Sequence, residues 1–143
     1  MAAIYKNIVF GTPLVAQWAA FFDLAGWEWS TNTIPINNWK PDFSVKFSCP
    51  HSECNGSHTI LVSVLPADSL AELKGHPALT HRYIVNAEDT WVADAGALFG
   101  STPRITQWDM SHGAGGGIET VSNWINGDMN QLWSLAEELV RKN

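Results

Sequence analysis

Residues 59–65, Thr-Ile-Leu-Val-Ser-Val-Leu, are almost continuously apolar and stop at Pro66. Such a run reads as a buried strand. Just upstream, Phe43, Val45 and Phe47 alternate with Asp42, Ser44 and Lys46, so the apolar and polar side chains fall on opposite faces of a second strand. The polar stretch 48–58 joins the two, and the pair predicts a strand hairpin around which the rest of the chain must be arranged.

A helix is predicted ahead of this hairpin. Thr12 can cap it, Pro13 suits its first turn, and Leu14, Trp18, Phe21, Phe22 and Ala25 share one face before Gly26 stops it. Trp27-Glu28-Trp29 then begins an extended segment, and Asn37-Asn38 is turn-like. After the hairpin, Asp68 is placed to cap a short helix running to Leu73, with Gly75 closing it. Residues 83–85 and 97–99 are weaker strand candidates. A last helix starts at an Asp128 cap and carries Leu132, Leu135, Ala136, Leu139 and Val140 on its apolar face. Helix, strand hairpin, helix, strands and helix in that order make a mixed α/β domain.

The chain is 143 residues long, one domain's worth, with 45% hydrophobic and 15% charged residues. That balance belongs to a globular protein. No apolar run approaches the roughly 20 residues that span a bilayer, and the first residues lack a secretory signal, so a soluble cytoplasmic protein is expected. The net charge is −6, and the eight Lys and Arg are scattered along the chain. Nucleic-acid binders concentrate such residues on one face, so no strong nucleic-acid binding is expected. Eight Trp is a large number for this length. Trp27, Trp29, Trp39, Trp91, Trp108 and Trp124 lie in or beside polar, turn-rich segments, which points to a protein-binding surface for some of them.

The hairpin loop 48–58 holds both cysteines and two of the five histidines: Cys49, His51, Cys54 and His58. Cys and His are the usual ligands of structural zinc, and four of them complete a tetrahedron. Cys49, Cys54 and His58, with His51 as the fourth, are the candidate set. Free thiols, a small disulfide, or three ligands plus water are the competing readings. His76 and His81 flank a loop and read as solvent-exposed or locally satisfied. The run His112-Gly113-Ala114-Gly115-Gly116-Gly117 lacks the Gly-Lys-Ser/Thr ending of a phosphate loop, no strong strand is read before it, and it is expected to be a flexible connection. Asp109 and Glu119 bracket it without catalytic spacing.

Two further stretches carry a resemblance. Gln17-Trp18-Ala19-Ala20-Phe21-Phe22-Asp23 with Gly26, followed by Lys40-Pro41-Asp42-Phe43, resembles the first helix and the Pro-Asp half-motif of small PD-(D/E)XK nuclease-like proteins of phages and mobile elements. The resemblance covers roughly residues 7–85. It implies an α/β fold with a nuclease-like mixed sheet flanked by helices, formed by residues 1–143 as a single domain. In that family an Asp on one strand and a Glu on its neighbour hold Mg²⁺, a Lys shares the face of the Glu, and a helical Glu often joins them. Only Asp42 stands where the pattern asks; Val15, Ser63 and Leu65 occupy the other positions. A lone carboxylate is a poor Mg²⁺ site. The resemblance therefore implies a pseudonuclease with no catalytic magnesium that acts by binding a protein partner. Such a partner would be a host defence nuclease complex, as for an anti-CRISPR inhibitor, a virion component, or a second copy in a homo-oligomer. The alternative is an active metal-dependent DNA endonuclease with relocated groups, for which Glu72-Leu73-Lys74 is the one literal Glu-x-Lys.

Overall fold

The computed structural model describes residues 1–142. In chain order the elements are β1 (Ala3–Tyr5), β2 (Ile8–Phe10), helix α1 (Pro13–Ala25), β3 (Glu28–Ser30), β4 (Phe43–Ser48), β5 (Ser57–Val64), β6 (Val85–Ala87), β7 (Thr90–Ala93), β8 (Ala95–Phe99), β9 (Thr106–His112), β10 (Gly115–Glu119) and helix α2 (Met129–Arg141). Short 3₁₀ turns occupy Leu70–Leu73, Pro77–Thr80 and Val121–Asn123.

The hairpin β4–β5 sits inside a six-stranded mixed sheet of order β10-β9-β8-β5-β4-β3. Phe43 pairs with Val62 and Ser48 with Ser57. Among the described residues the one parallel pair is β5–β8, with Ile60 opposite Ala95 and Val64 opposite Phe99. A parallel neighbour cannot follow through a tight turn, so residues 66–94 form a long crossover. All of β8, Ala-Gly-Ala-Leu-Phe, is buried.

Helix α1 begins as its capping chemistry requires. Thr12 Oγ1 accepts a hydrogen bond from Val15 N at 3.3 Å, and Gly26 ends the helix at φ 77°. The helix is buried round much of its girth at Ala16, Trp18, Ala19, Ala20, Phe21 and Phe22. Such a helix needs cover on more than one side. The sheet lies beneath it, while α2 and the β1–β2 hairpin pack beside it. Trp18 Nε1 donates to Gly100 O at 2.9 Å, and Gln17 Nε2 donates to Trp133 O at 3.2 Å. Helix α2 is capped by Asp128, whose Oδ1 accepts from Asn130 N and Gln131 N. It packs through Leu132, Trp133, Ala136, Leu139 and Val140, whereas Leu135 is exposed.

Both α-helices cover one face of the sheet. The other face carries a separate apolar cluster of Trp39, Leu61, Leu73, Ala78 and Leu98, roofed by the 3₁₀ turns. Here β8 needs Gly96, because a Cβ at that position would collide with the carbonyl oxygen of Ala78 and crowd Trp39.

Three expectations are corrected. The segment after Pro66 is 3₁₀ and not α, and Asp68 does not cap it; its carboxylate accepts from Ser101 Oγ at 2.7 Å. Only Val85 of residues 83–85 is in a strand, because Tyr83 has φ 67°, which extended backbone does not allow. The glycine run is not a loose connection: Gly115–Glu119 is strand β10, paired antiparallel with β9 from Gly115↔His112 to Glu119↔Trp108. Trp27, Trp39 and Trp108 are buried, while Trp91 is half exposed.

Candidate metal centre

Three strands end together. The row of β4 side chains facing α1, Phe43, Val45 and Phe47, continues in phase to Cys49. On β5 the same face carries His58, Ile60 and Val62; on β9 it carries Trp108, Met110 and His112. Cys49, His58 and His112 are thus the terminal members of three parallel rows. Strand β8 lies between β5 and β9 but begins at Ala95, and with Ala97 opposite Trp108 the last residues of β9 overhang it. That gap lets His112 reach the hairpin loop. The loop folds back on itself through Cys49 N to Gly56 O at 2.9 Å and Cys54 N to His51 O at 3.0 Å, which brings Cys54 inward.

The outcome is a four-member cluster. One ligand atom from each of Cys49, Cys54, His58 and His112 lies within 4.8 Å of all the others. Tetrahedral zinc, with sulfur at about 2.3 Å and nitrogen at about 2.0 Å, separates its ligand atoms by about 3.3–3.8 Å. Cys49 Sγ and His112 Nε2 are already 3.3 Å apart. The two thiols are free, not joined in a disulfide. His58 is buried and, among the described residues, its Nε2 has no hydrogen-bond partner, while Nδ1 faces Asp94 Oδ2 at 3.4 Å. A buried imidazole nitrogen without a partner is costly unless something fills its lone pair. Burial also pushes the Cys49 thiol above its ordinary range. A divalent cation would bind that sulfur as thiolate, and two thiolates would balance its charge. The residues present could therefore hold a metal such as zinc.

Aromatic rings seal one side. The Trp124 ring lies 4.9 Å from Phe47, 5.4 Å from His58 and 5.2 Å from His112. Glu119 Oε1 holds that indole by accepting from Trp124 Nε1 at 3.0 Å.

Of the candidate ligands, Cys49, Cys54 and His58 converge and His51 does not. His51 is exposed, and its Nδ1 accepts from Glu53 N at 3.1 Å, which commits that nitrogen to the loop's own turn. Its ring stands 5.0 Å from that of His112, above Gly113. His112 takes the fourth place. The sequence held a signal for it: Thr106, Trp108, Met110 and His112 alternate with polar residues, which extends the strand up to the glycine run.

The residues carrying the nuclease resemblance are divided between the two faces of the sheet. Asp42 and Val15 line one cleft together with Phe10, Thr12, Val64 and Pro66. Asp42 Oδ2 accepts a hydrogen bond from Val64 N at 2.8 Å, and burial raises its pKa despite that bond and the nearby Lys40 and His76. Ser63 points to the opposite face, where its Oγ accepts from Trp39 Nε1 at 2.7 Å, and Leu65 packs into the same cluster. The cleft around Asp42 is therefore lined by Val64 and not by Leu65, since adjacent strand residues face opposite ways. Glu72 of the Glu-x-Lys sequence is spent locally: its Oε2 accepts from Asp68 N and Ser69 Oγ. His76 Nδ1 caps its own turn through Ala78 N, and His81 stacks on Trp39 at 5.4 Å; burial lowers the pKa of both.

No family model, curated protein or solved structure matches this chain. Among the described residues no helix is long and apolar enough to cross a membrane.

Proposed function

We propose that this chain is a non-catalytic domain of the PD-(D/E)XK-like type that acts by binding another protein, with a structural zinc at Cys49, Cys54, His58 and His112 locking its hairpin loop to β9. The convergence of these four ligands on three strand ends carries the zinc half of the reading. Zinc with four protein ligands has no open position for water or substrate, so its contribution is to folding. Against catalysis stands the cleft around Asp42. Among the described residues lining it, Asp42 is the one carboxylate, and one of its oxygens already accepts from Val64 N. A Mg²⁺-dependent nuclease needs several hard oxygen ligands in that place.

Binding to protein in preference to DNA is supported by charge. The net charge is −6, and several of the cations are engaged locally: Lys6 with Asp23 at 2.9 Å, Lys40 with Thr33, and Arg141 with Glu137 at 3.7 Å. A phosphate backbone meets net repulsion from such a chain unless a concentrated basic groove overcomes it. A host defence nuclease complex and a virion component are the partners that the resemblance implies.

The test has two arms. Protein purified without chelators should contain one zinc per chain, and incubation with single- and double-stranded DNA and Mg²⁺ or Mn²⁺ should leave the DNA intact. Cleavage that disappears in Asp42→Ala would overturn the non-catalytic reading. Tight, salt-sensitive DNA binding in a gel shift would overturn the choice of partner.

A further inference from the structure

We infer that Asp94 is a positioning residue that sets the metal affinity of this centre by selecting the tautomer of His58. The inference rests on the zinc reading above. Asp94 immediately precedes β8 and is tied to β5 by two hydrogen bonds to the backbone of Thr59. Its Oδ2 accepts from Thr59 N at 2.8 Å, and its own N donates to Thr59 O at 2.7 Å. That places the carboxylate beside the residue following His58, with Oδ2 at 3.4 Å from His58 Nδ1. On the far side of the ring, Nε2 is buried without a partner.

These contacts decide where the imidazole proton resides. With the proton on Nδ1, an N–H faces a negative oxygen and Nε2 offers a bare lone pair to the cluster. With the proton on Nε2, two lone pairs oppose each other at Asp94, and an N–H blocks the position a cation would take. The carboxylate therefore favours the tautomer that leaves Nε2 free for a metal. The separation of 3.4 Å exceeds the roughly 3.2 Å limit of a good N–H···O bond, so the charge on Asp94 matters more here than hydrogen-bond geometry.

Asp94 also brings a fourth strand to the centre. Cys49 directly follows β4, His58 belongs to β5 and His112 to β9, while β8 contributes none of the four cluster residues. Through Asp94 the start of β8 supports the ligand that β5 supplies.

The test is zinc affinity, measured by competition with a chromophoric chelator on the full chain, alongside the stability of the metal-free protein. Asp94→Asn keeps an acceptor oxygen and removes the charge. Asp94→Ser keeps an acceptor near Thr59 N and is too short to reach the imidazole. Both should bind zinc about 10–100-fold more weakly than wild type, the range typical of lost outer partners of metal-bound histidine. Co²⁺ loaded into either variant should give the same tetrahedral visible bands as wild type, because the four ligands are intact. Affinities within about twofold of wild type, with stability lowered equally in metal-free and loaded protein, would mean that Asp94 serves only the Thr59 backbone and would overturn the inference. A wild-type chain that takes up no zinc would instead overturn the metal reading itself.

Discussion

The Nε2 of His112 lies 3.3 Å from the Sγ of Cys49, a residue 63 positions earlier in the chain, and this contact joins the end of β9 to the end of β4. Because the contact spans strands that are not neighbours in the sheet, a metal there would constrain tertiary structure and not just a loop. Chelation should therefore lower the thermal midpoint. At free zinc 100-fold above Kd the linkage is worth about 2.7 kcal/mol. At roughly 2–4 °C per kcal/mol that is a fall of several degrees on metal removal, read by calorimetry with and without EDTA.

The choice of fourth ligand gives a sharper test. His112→Ala should abolish stoichiometric zinc binding, whereas His51→Ala should retain it, since His51 is exposed and its Nδ1 serves Glu53 N. Equilibrium dialysis with metal analysis separates the two. Loss of zinc in His51→Ala with retention in His112→Ala would reverse the assignment.

Asp42 predicts a dependence on pH. Burial raises its pKa in the folded protein, so folding favours the protonated form. Its contribution is fully present below the unfolded carboxylate value near ~3.9 and is lost as pH rises through the folded value. Asp42→Asn, which keeps an oxygen for Val64 N, should therefore stabilise the protein at neutral pH. The gain should shrink as pH falls through the folded pKa of Asp42. Urea midpoints at several pH values check this, and a gain that grows on acidification would contradict it.

Asp23 behaves in the opposite sense. Burial alone would raise its pKa, but hydrogen bonds from Tyr5, Lys6 and Trp29 outweigh burial and hold it below the usual carboxylate value. Its stabilisation is present above the unfolded pKa and is lost as pH falls through the folded one. Asp23→Asn should thus destabilise at pH 7 and make little difference in strong acid, as read from the same urea series.

On the face away from the helices, Ser63→Ala would leave Trp39 Nε1 buried without an acceptor. Such a loss costs about 1–3 kcal/mol. Gly96→Ala should also destabilise, by about 1–3 kcal/mol, through the clash with the Ala78 carbonyl. Chemical denaturation of each variant measures both effects. If Gly96→Ala proved neutral, the packing of the 3₁₀ turns on β8 would not be as tight as the structure has it, and a neutral Ser63→Ala would mean that Trp39 Nε1 finds another partner.

The local signals in the sequence were strong where one residue's chemistry decides its own conformation. Thr12, Pro13 and Gly26 bound α1; Asp128 starts α2; the alternation of 43–47 and the apolar run 59–65 define the central hairpin. Cys49, Cys54 and His58 were legible as candidate metal ligands because they crowd into one loop. What pairing register decides was not legible. Strand β8 lies parallel to β5, β9 overhangs it, and only that stagger carries His112 to the loop in place of the nearer His51. The same period-two alternation sends Ser63 to Trp39 and leaves Val64 beside Asp42. The roles of Asp94 and Gly96 have no local signature, since each is set by a neighbour far away in sequence. Propensity and capping act over a few residues, and so the sequence by itself determined the helices and the hairpin. Strand order and stagger depend on how whole faces are buried together, and so the tertiary structure alone decided which side chains meet.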